Sequence, residues 1–341
     1  MVARAIAVFG GAGYIGSHFC KALSRAGYQP VVFDNLSTGH EAACKFGPFF
    51  QGDVRSYQDL SSFFGRFDIF AAAHFAAKSI VGESAADPFG YWENNVLGTI
   101  NLCRALREHS VRNLIFSSTA AVYGEGHHGA IPESMPANPI NTYGRSKLAA
   151  ENVVHSFAAT GDFRFVIFRY FNAAGGDPEG EIGETHYPET HLIPRALRAQ
   201  APNADPLTVF GNDYSTPDGS CIRDFIHVSD LADAHVLGLR CLGGGRDSLI
   251  LNLGTGRGTS VREVVAAVEL ATGKPMNMIV GPRRPGDPPV LVADSRFATG
   301  TLGWRPSRSN IDNIVNDAWL WLRSGKFAAR QTNQAAKVTE T

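Results

Sequence analysis

Tyr143 and Lys147 stand four residues apart in the segment Tyr143-Gly144-Arg145-Ser146-Lys147. On a helix, side chains at that spacing share a face. A phenol is a poor base near neutral pH, with a pKa of about 10. A neighbouring ammonium favours the phenolate and lowers that value. The pair therefore predicts acid–base chemistry at Tyr143 with Lys147 as its electrostatic partner. Tyr and Lys at this spacing also occur on plain solvated helix faces, so context must separate the two readings. Ser117-Ser118-Thr119 supplies part of it, at the end of an apolar run beginning at Asn113. A hydroxyl there can relay a proton between a substrate oxygen and the phenol, and Thr119 is the choice among the three. The bland alternative is a turn, which Ser and Thr favour in any case.

The rest of the context is Gly10-Gly11-Ala12-Gly13-Tyr14-Ile15-Gly16, set between an apolar run at Ala5–Phe9 and a helical pattern over residues 17–26. It fits GxxGxxG from Gly10 and GxGxxG from Gly11. Glycines let the backbone turn sharply and approach a pyrophosphate, while the helix start offers free N–H groups and a positive dipole end. Such turns can also serve packing alone. Here a second apolar run ends at Asp34, close to the ~20-residue offset of a ribose-binding acid. A carboxylate accepts from both ribose hydroxyls and repels a 2′-phosphate, which predicts NAD rather than NADP. Gly52-Asp53-Val54 and Phe75-Ala76-Ala77 end later runs, where ligands of such sheets lie. Asp53 is placed to accept from an adenine amino group. The small Ala76 and Ala77 would let the pyrophosphate lie against backbone. A positive nicotinamide would add to Lys147 in favouring the Tyr143 phenolate, and Lys147 can also hold the nicotinamide ribose.

These residues need a scaffold. Apolar runs at 30–34, 68–77, 113–118 and 164–171 alternate with helical patterns near 95–108 and 143–157. That alternation predicts βαβ units and a Rossmann-type, doubly wound parallel α/β sheet. The pattern changes near Gly175, where Gly, Pro and Glu become dense through residue 188. Helices are expected at about 193–199 and 261–272, a strand edge plus helix at 225–239, a short run at 249–253, and a Pro/Gly/Arg-rich loop at 282–289. The expected organisation is an NAD-binding domain of residues 1–175 plus about 225–250. A smaller discontinuous α/β lobe follows, 176–224 and 251–326, and then a flexible tail, 327–341.

With 31 basic and 32 acidic residues the net charge is -1, which leaves no field to attract nucleic acid or a membrane surface. Five widely spaced cysteines without a CxxC argue against a disulfide framework or zinc site and for a reducing cytoplasm. No metal is expected. His127 and His128 sit in a Gly-rich loop, and His186 with His191 are read as having no matching ligand set nearby.

Together these motifs resemble the extended short-chain dehydrogenase/reductases, and within them the UDP-glucose 4-epimerases. The resemblance runs to about Trp321. It rests on residues 10–17, 34–36, 74–77 with 81–84, 94–98, 116–124, 143–147, 169–172, 210–214, 228–234 and 252–256. Residues 183–184, 191–194 and 221–224 are epimerase-like in the second lobe. The resemblance implies interconversion of UDP-glucose and UDP-galactose. Tyr143 would take the proton of the sugar 4-OH as C4 passes hydride to NAD. The 4-keto sugar would then turn about its link to UDP and take the hydride back on its other face. The cofactor set it implies is Gly10, Gly13, Tyr14, Ile15, Gly16, Asp34, Asn35, Ser37, Thr38, Gly39, Asp53, Val54, Phe75, Ala76, Ala77, Asn94, Tyr143, Lys147 and Phe171. The substrate set is Thr119, Tyr143, Asn172, His191, Leu192, Phe210, Arg223, Arg284, Asp287 and Leu291. A homodimer through residues 94–108 and 143–157 is also implied.

Three positions depart from the family pattern. Phe9 replaces a usual Thr before the glycines. Lys78 sits one place early, which redirects its side chain. Leu291, where the family gates sugar size, is neither a bulky Tyr nor a small Cys or Ser. A 4,6-dehydratase would need an Asp-Glu pair after Thr119, and Ala120-Ala121 stand there instead. Epimerases for N-acetylated, pentose or uronate UDP-sugars remain alternatives. A non-catalytic NAD sensor is disfavoured because Tyr143 and Lys147 are both present.

Overall fold

The computed structural model describes residues 3–125, 129–284 and 286–326. His127, His128 and the expected tail 327–341 lie outside the described residues. The first strand, β1 (Ala5–Phe9), is apolar throughout and buried from Ile6 onward. Side chains alternate along a strand. Ile6 and Val8 accordingly enter one apolar cluster, and Ala7 and Phe9 enter another. A strand buried on both faces belongs inside a parallel sheet covered by helices.

Around it run α1 (Tyr14–Arg25), β2 (Gln29–Asp34), β3 (Phe49–Gln51), α2 (Tyr57–Arg66), β4 (Ala71–His74), α3 (Val81–Ala86) and α4 (Pro88–Trp92). Next come α5 (Gly98–Glu108), β5 (Asn113–Thr119), α6 (Thr142–Ala158) and β6 (Arg164–Tyr170). The later elements are β7 (Asn172–Ala174), α7 (Leu192–Arg198), β8 (Leu207–Phe210), β9 (Ile222–Arg223), β10 (Phe225–His227), α8 (Val228–Gly243) and β11 (Leu249–Leu253). Last are β12 (Thr259–Ser260), α9 (Val261–Thr272), β13 (Met278–Gly281), β14 (Val290–Leu291), α10 (Arg296–Leu302) and α11 (Ile311–Arg323).

The main sheet has seven parallel strands in the order β11-β6-β5-β4-β1-β2-β3. Helices α1, α8 and α10, with Trp304, cover one face. Helices α2, α5 and α6 cover the other, where Phe9, Phe33 and Phe63 meet at centroid distances of 5.1 to 5.6 Å. The strand expected across 68–77 is only four residues long, Ala71–His74, because that is the stretch paired with β1. The helix expected from residue 95 begins as a π-helical turn, Glu93–Leu97, before α5. The sheet extends through Leu253, beyond residue 250, because β11 pairs in parallel with β6.

A third apolar cluster joins α7, α9 and α11 to β8, Ala174 and Phe225. Helix α9 starts with a capping box in which Ser260 and Glu263 satisfy each other's backbone N–H groups. Buried carboxylates tie the segments together. Asp224 accepts from the N–H groups of Thr255 (2.7 Å), Gly256 (3.0 Å) and Ala293 (3.1 Å). Asp177 holds Lys21 of α1 at 2.7 Å. Among the described residues no helix is long and apolar enough to cross a membrane. Cys20, Cys103, Cys221 and Cys241 are free thiols.

Candidate active site

Chain order reverses between β1 and β4, which are neighbours in the sheet although β2 and β3 lie on the other side of β1. A crevice opens outside the carboxyl ends of strands at such a switch point. Gly10 leaves β1 there with φ +81, a conformation L side chains rarely adopt. A Cβ on Gly10 would stand 2.5 Å from the Ala76 nitrogen at the β4 exit. One on Gly16 would stand 2.1 Å from the Gly10 carbonyl oxygen. The two strand exits thus touch through backbone alone. Gly13 caps α1 without a side-chain hydrogen bond, and the first turn of α1 carries no acidic residue. Its N–H groups and dipole end are left to an anion. That cradle fits a dinucleotide pyrophosphate.

Gly16→Ala is therefore expected to abolish retention of NAD. The added methyl must push the turn apart, and a backbone carbonyl cannot swing aside. Absorbance of the purified protein at 260 and 280 nm checks this; an NAD-loaded variant would refute it.

Asp34 ends β2 buried. Its carboxylate accepts from the Ala12 N–H (3.0 Å) and the Leu36 N–H (2.8 Å), which holds it beside the glycine turn. Burial raises its pKa, and the two amides offset part of that. A Cβ on Gly39 would lie 2.9 Å from Asp34 Oδ1, so the backbone there also closes on the carboxylate. Asp53, expected from sequence to accept from an adenine amino group, is engaged by protein donors. Arg55 forks onto its carboxylate, with Nη2 2.7 Å from Oδ2, and Asn35 Nδ2 donates to it at 3.0 Å. Burial opposes the charge, but Arg55 and Asn35 outweigh it and hold the Asp53 pKa down at about 2. Its oxygens already have strong donors, so an adenine amino group would have to share them. Phe75 turns its ring into the core against Phe19 and His235, leaving its backbone to the crevice.

Lys78 pairs with Glu83 (2.9 Å) and Asp87 (2.8 Å). Asn95, not singled out from sequence, is the buried polar residue of the π-helical turn. It accepts from the Lys78 N–H (2.9 Å) and donates to the Lys78 carbonyl and Ser146 Oγ, both at 3.0 Å. It thereby locks the β4 exit to α6. Asn94, the neighbour chosen from sequence, donates to Asn95 Oδ1 at 3.0 Å. An isolated Asn pair carries no signal of this in the sequence.

Asn141 caps α6 by accepting from the Gly144 N–H at 2.8 Å, which fixes Tyr143 in the first turn. Tyr143 is half-buried and hydrogen-bonded to Thr119 at the end of β5. The three hydroxyl residues of β5 have distinct partners. Ser117 bonds Tyr170, Ser118 bonds Glu151, and Thr119 bonds Tyr143. Alternation along the strand sends Ser118 to the other face. Burial raises the Tyr143 pKa and the bond to Thr119 counters it; Lys147 is not among the groups that shift it. The expected lowering by Lys147 is thus not seen in the protein alone. Lys147 is itself buried, its Nζ 4.5 Å from the Phe116 ring centre. Burial drives its pKa down to about 8, against a pull upward from Glu151. Glu151 is held in turn by Arg169, at 3.0 Å from Nε and 2.6 Å from Nη2.

In the second lobe, the buried Oδ1 of Asn172 has no hydrogen-bond partner among the described residues. Arg223 pairs with Asp287, and Arg284 lies over the Phe210 ring at 4.0 Å. Leu291 pairs with Arg223 across β14 and β9 and packs against the cluster of Ala120, Val122, Tyr123 and Ile131. Phe171 borders the same cluster. One sequence expectation is corrected. His186 and His191 do have ligand-type neighbours, because the fold brings Glu184 and Glu189 to them, with all four ligand atoms within 4.8 Å of one another.

A switch-point glycine cradle facing a Tyr–Lys helix and a threonine strand end defines a dinucleotide-dependent enzyme that moves a proton at a substrate hydroxyl. The chain belongs to the NAD dependent epimerase/dehydratase family, whose profile matches residues 6–254. It is 46% identical over 317 residues to a UDP-glucose 4-epimerase of Lacticaseibacillus casei, covering 93% of this chain and 96% of that protein. A solved UDP-glucose 4-epimerase of Brucella ovis in complex with NAD superposes with a TM-score of 0.91 at 48% identity, covering 93% of this chain and 98% of that one. The Bifidobacterium longum UDP-glucose 4-epimerase in complex with NAD+ and UDP gives 0.88 at 34% identity, covering 95% and 99%.

Proposed function

We propose that this chain interconverts UDP-glucose and UDP-galactose with NAD as a regenerated cofactor. The observation that carries the reading is the Tyr143–Thr119 hydrogen bond, followed in sequence by the two alanines Ala120 and Ala121. The site has a proton acceptor for one hydroxyl. It has no acid–base pair at those positions to work on C5 and C6, as a dehydratase needs.

When bound, NAD supplies the reversible two-electron chemistry at C4. The protein's own work is to hold and move protons and to anchor the nucleotide. Tyr143 Oη accepts the 4-OH proton, with Thr119 Oγ1 as relay, and returns it at the end of the cycle. Lys147 orients the nicotinamide ribose, and its ammonium favours the phenolate once the phenol faces a positive ring. Arg223 and Arg284 hold the diphosphate with charge-assisted bonds, and Asn172, His191, Leu192, Phe210, Asp287 and Leu291 complete the nucleotide-sugar site. The fixed nucleotide leaves the sugar free to turn. The direct test is conversion of UDP-galactose by the purified, NAD-loaded protein, read by coupled oxidation of the UDP-glucose formed. Absence of turnover with UDP-galactose, alongside turnover of a pentose or uronate UDP-sugar, would move the assignment to that substrate. Leu291 is intermediate in bulk between the family extremes, so UDP-N-acetylgalactosamine belongs in the same assay.

A homodimer through residues 94–108 and 143–157 fits this reading. Phe89, Trp92, Leu97 and Ile100 are exposed along α4, the π-helical turn and the start of α5, 72%, 44%, 42% and 37% respectively. An apolar stripe of that kind on a helix face is suited to burial against a partner. Replacing Leu97 and Ile100 together by Asp is expected to turn a dimer into a monomer in sedimentation velocity. Unchanged sedimentation would place the interface elsewhere. The free cysteines suit a reducing cytoplasm.

A further inference from the structure

Glu184, His186, Glu189 and His191 gather between α1 and α7. The side chains of Glu184 and Glu189 are 5% and 1% exposed, and that of His191 is 51% exposed. His191 Nδ1 hydrogen-bonds Glu184 Oε1, and His186 Nδ1 lies 3.1 Å from the same oxygen. The anchor is rigid behind them. Trp321 Nε1–H donates to the Glu184 carbonyl at 2.9 Å, and the Tyr14 ring of the glycine turn meets His186 edge-on at 6.3 Å. Glu189 Oε1 accepts from the N–H groups of Thr190 (2.9 Å) and His191 (3.0 Å). Helix α7, which starts just after His191, shares its apolar cluster with β8 and Ala174, the elements that carry Phe210 and Asn172.

We propose that Glu184 is a positioning residue for the nucleotide sugar: it fixes the His191 ring through Nδ1 and leaves Nε2–H to donate to an oxygen of the substrate diphosphate. The proposal deepens the UDP-sugar reading above and rests on it. A carboxylate behind an imidazole selects the ring orientation and favours its charged form. A diphosphate is the part of the substrate that such a donor recognises best. Burial works against charge on His191, and Glu184 outweighs it, so its pKa stays above the ordinary value. The charged neighbours of His191 are Glu184, His186 and Glu189, with Arg198 3.8 Å beyond Glu189.

The test is titration of the NAD-loaded protein with UDP and with uridine, alongside steady-state kinetics. Glu184→Gln is expected to weaken UDP roughly tenfold and leave uridine unchanged. KM for UDP-galactose should rise by the same factor, with kcat within about twofold of wild type. His191→Ala should lose a similar factor, and the double variant should be no worse than either single one, because both remove one device. If Glu184 serves only the fold, kcat, NAD retention and melting temperature fall together and the UDP-to-uridine preference stays; that result overturns the proposal. So do additive losses in the double variant, and so does UDP binding that EDTA removes and zinc restores. Wild-type turnover of UDP-galactose is the separate control. Its absence sinks the substrate reading, while the UDP-to-uridine preference still tests Glu184.

Discussion

Tyr143→Phe is expected to keep its NAD and lose turnover by about a thousandfold, the scale of a general acid–base group. The substitution removes one oxygen from a ring that stays packed, with the Tyr91 ring 6.4 Å away. Thr119 Oγ1 keeps its bond from the Ala121 N–H at 3.1 Å, which holds the end of β5 in place. The fold and the glycine cradle should therefore be untouched, and bound NAD should still be seen in the ultraviolet. Turnover within about tenfold of wild type would assign the proton to another group.

Lys147→Met should lose turnover by roughly a hundredfold and yet make the NAD-free protein more stable at neutral pH. The ammonium is buried, and its pKa is lowered from 10.5 in the unfolded chain to about 8. Below pH 8 both states hold the proton, and the folded state bears the full cost of a desolvated charge. Between pH 8 and 10.5 the unfolded state binds more protons, so wild-type stability rises with pH and the cost is gone above that window. Methionine has no such dependence. Its advantage is on the order of 2 kcal/mol near pH 7, after allowance for the Lys147 contact with Phe116, and shrinks by pH 10. Urea denaturation at pH 7 and pH 10 measures both. A variant less stable than wild type at pH 7 would mean that the ammonium is favourably held and that Lys147 is first a structural group.

The chemistry of the site was legible in the sequence where it depends on local spacing. The glycine turn, Asp34 at the end of β2, and Tyr143 with Lys147 on α6 are each set by a strand, a turn or a helix a few residues long. The same holds for the βαβ alternation and its parallel sheet, because hydrophobic periodicity is a local property. Asn95 was not legible. Its value comes from reaching Lys78 and Ser146 at once, and those come together only when the β4 exit meets α6. Nor was the Arg55 fork on Asp53, a matter of rotamer and exposure.

What the sequence by itself determined is which residues can turn a backbone around a pyrophosphate and which phenol can move a proton. The tertiary structure decided how far each is charged and which partners surround it. Lys147 shows this: a helix face made it Tyr143's neighbour, but burial beside Phe116 and Glu151 sets its proton affinity. His191 shows it again, since Glu184, seven residues away, reaches it only because residues 184–191 fold back against α1 and Trp321. Desolvation and long-range pairing depend on what surrounds a group in space, and sequence order does not carry that.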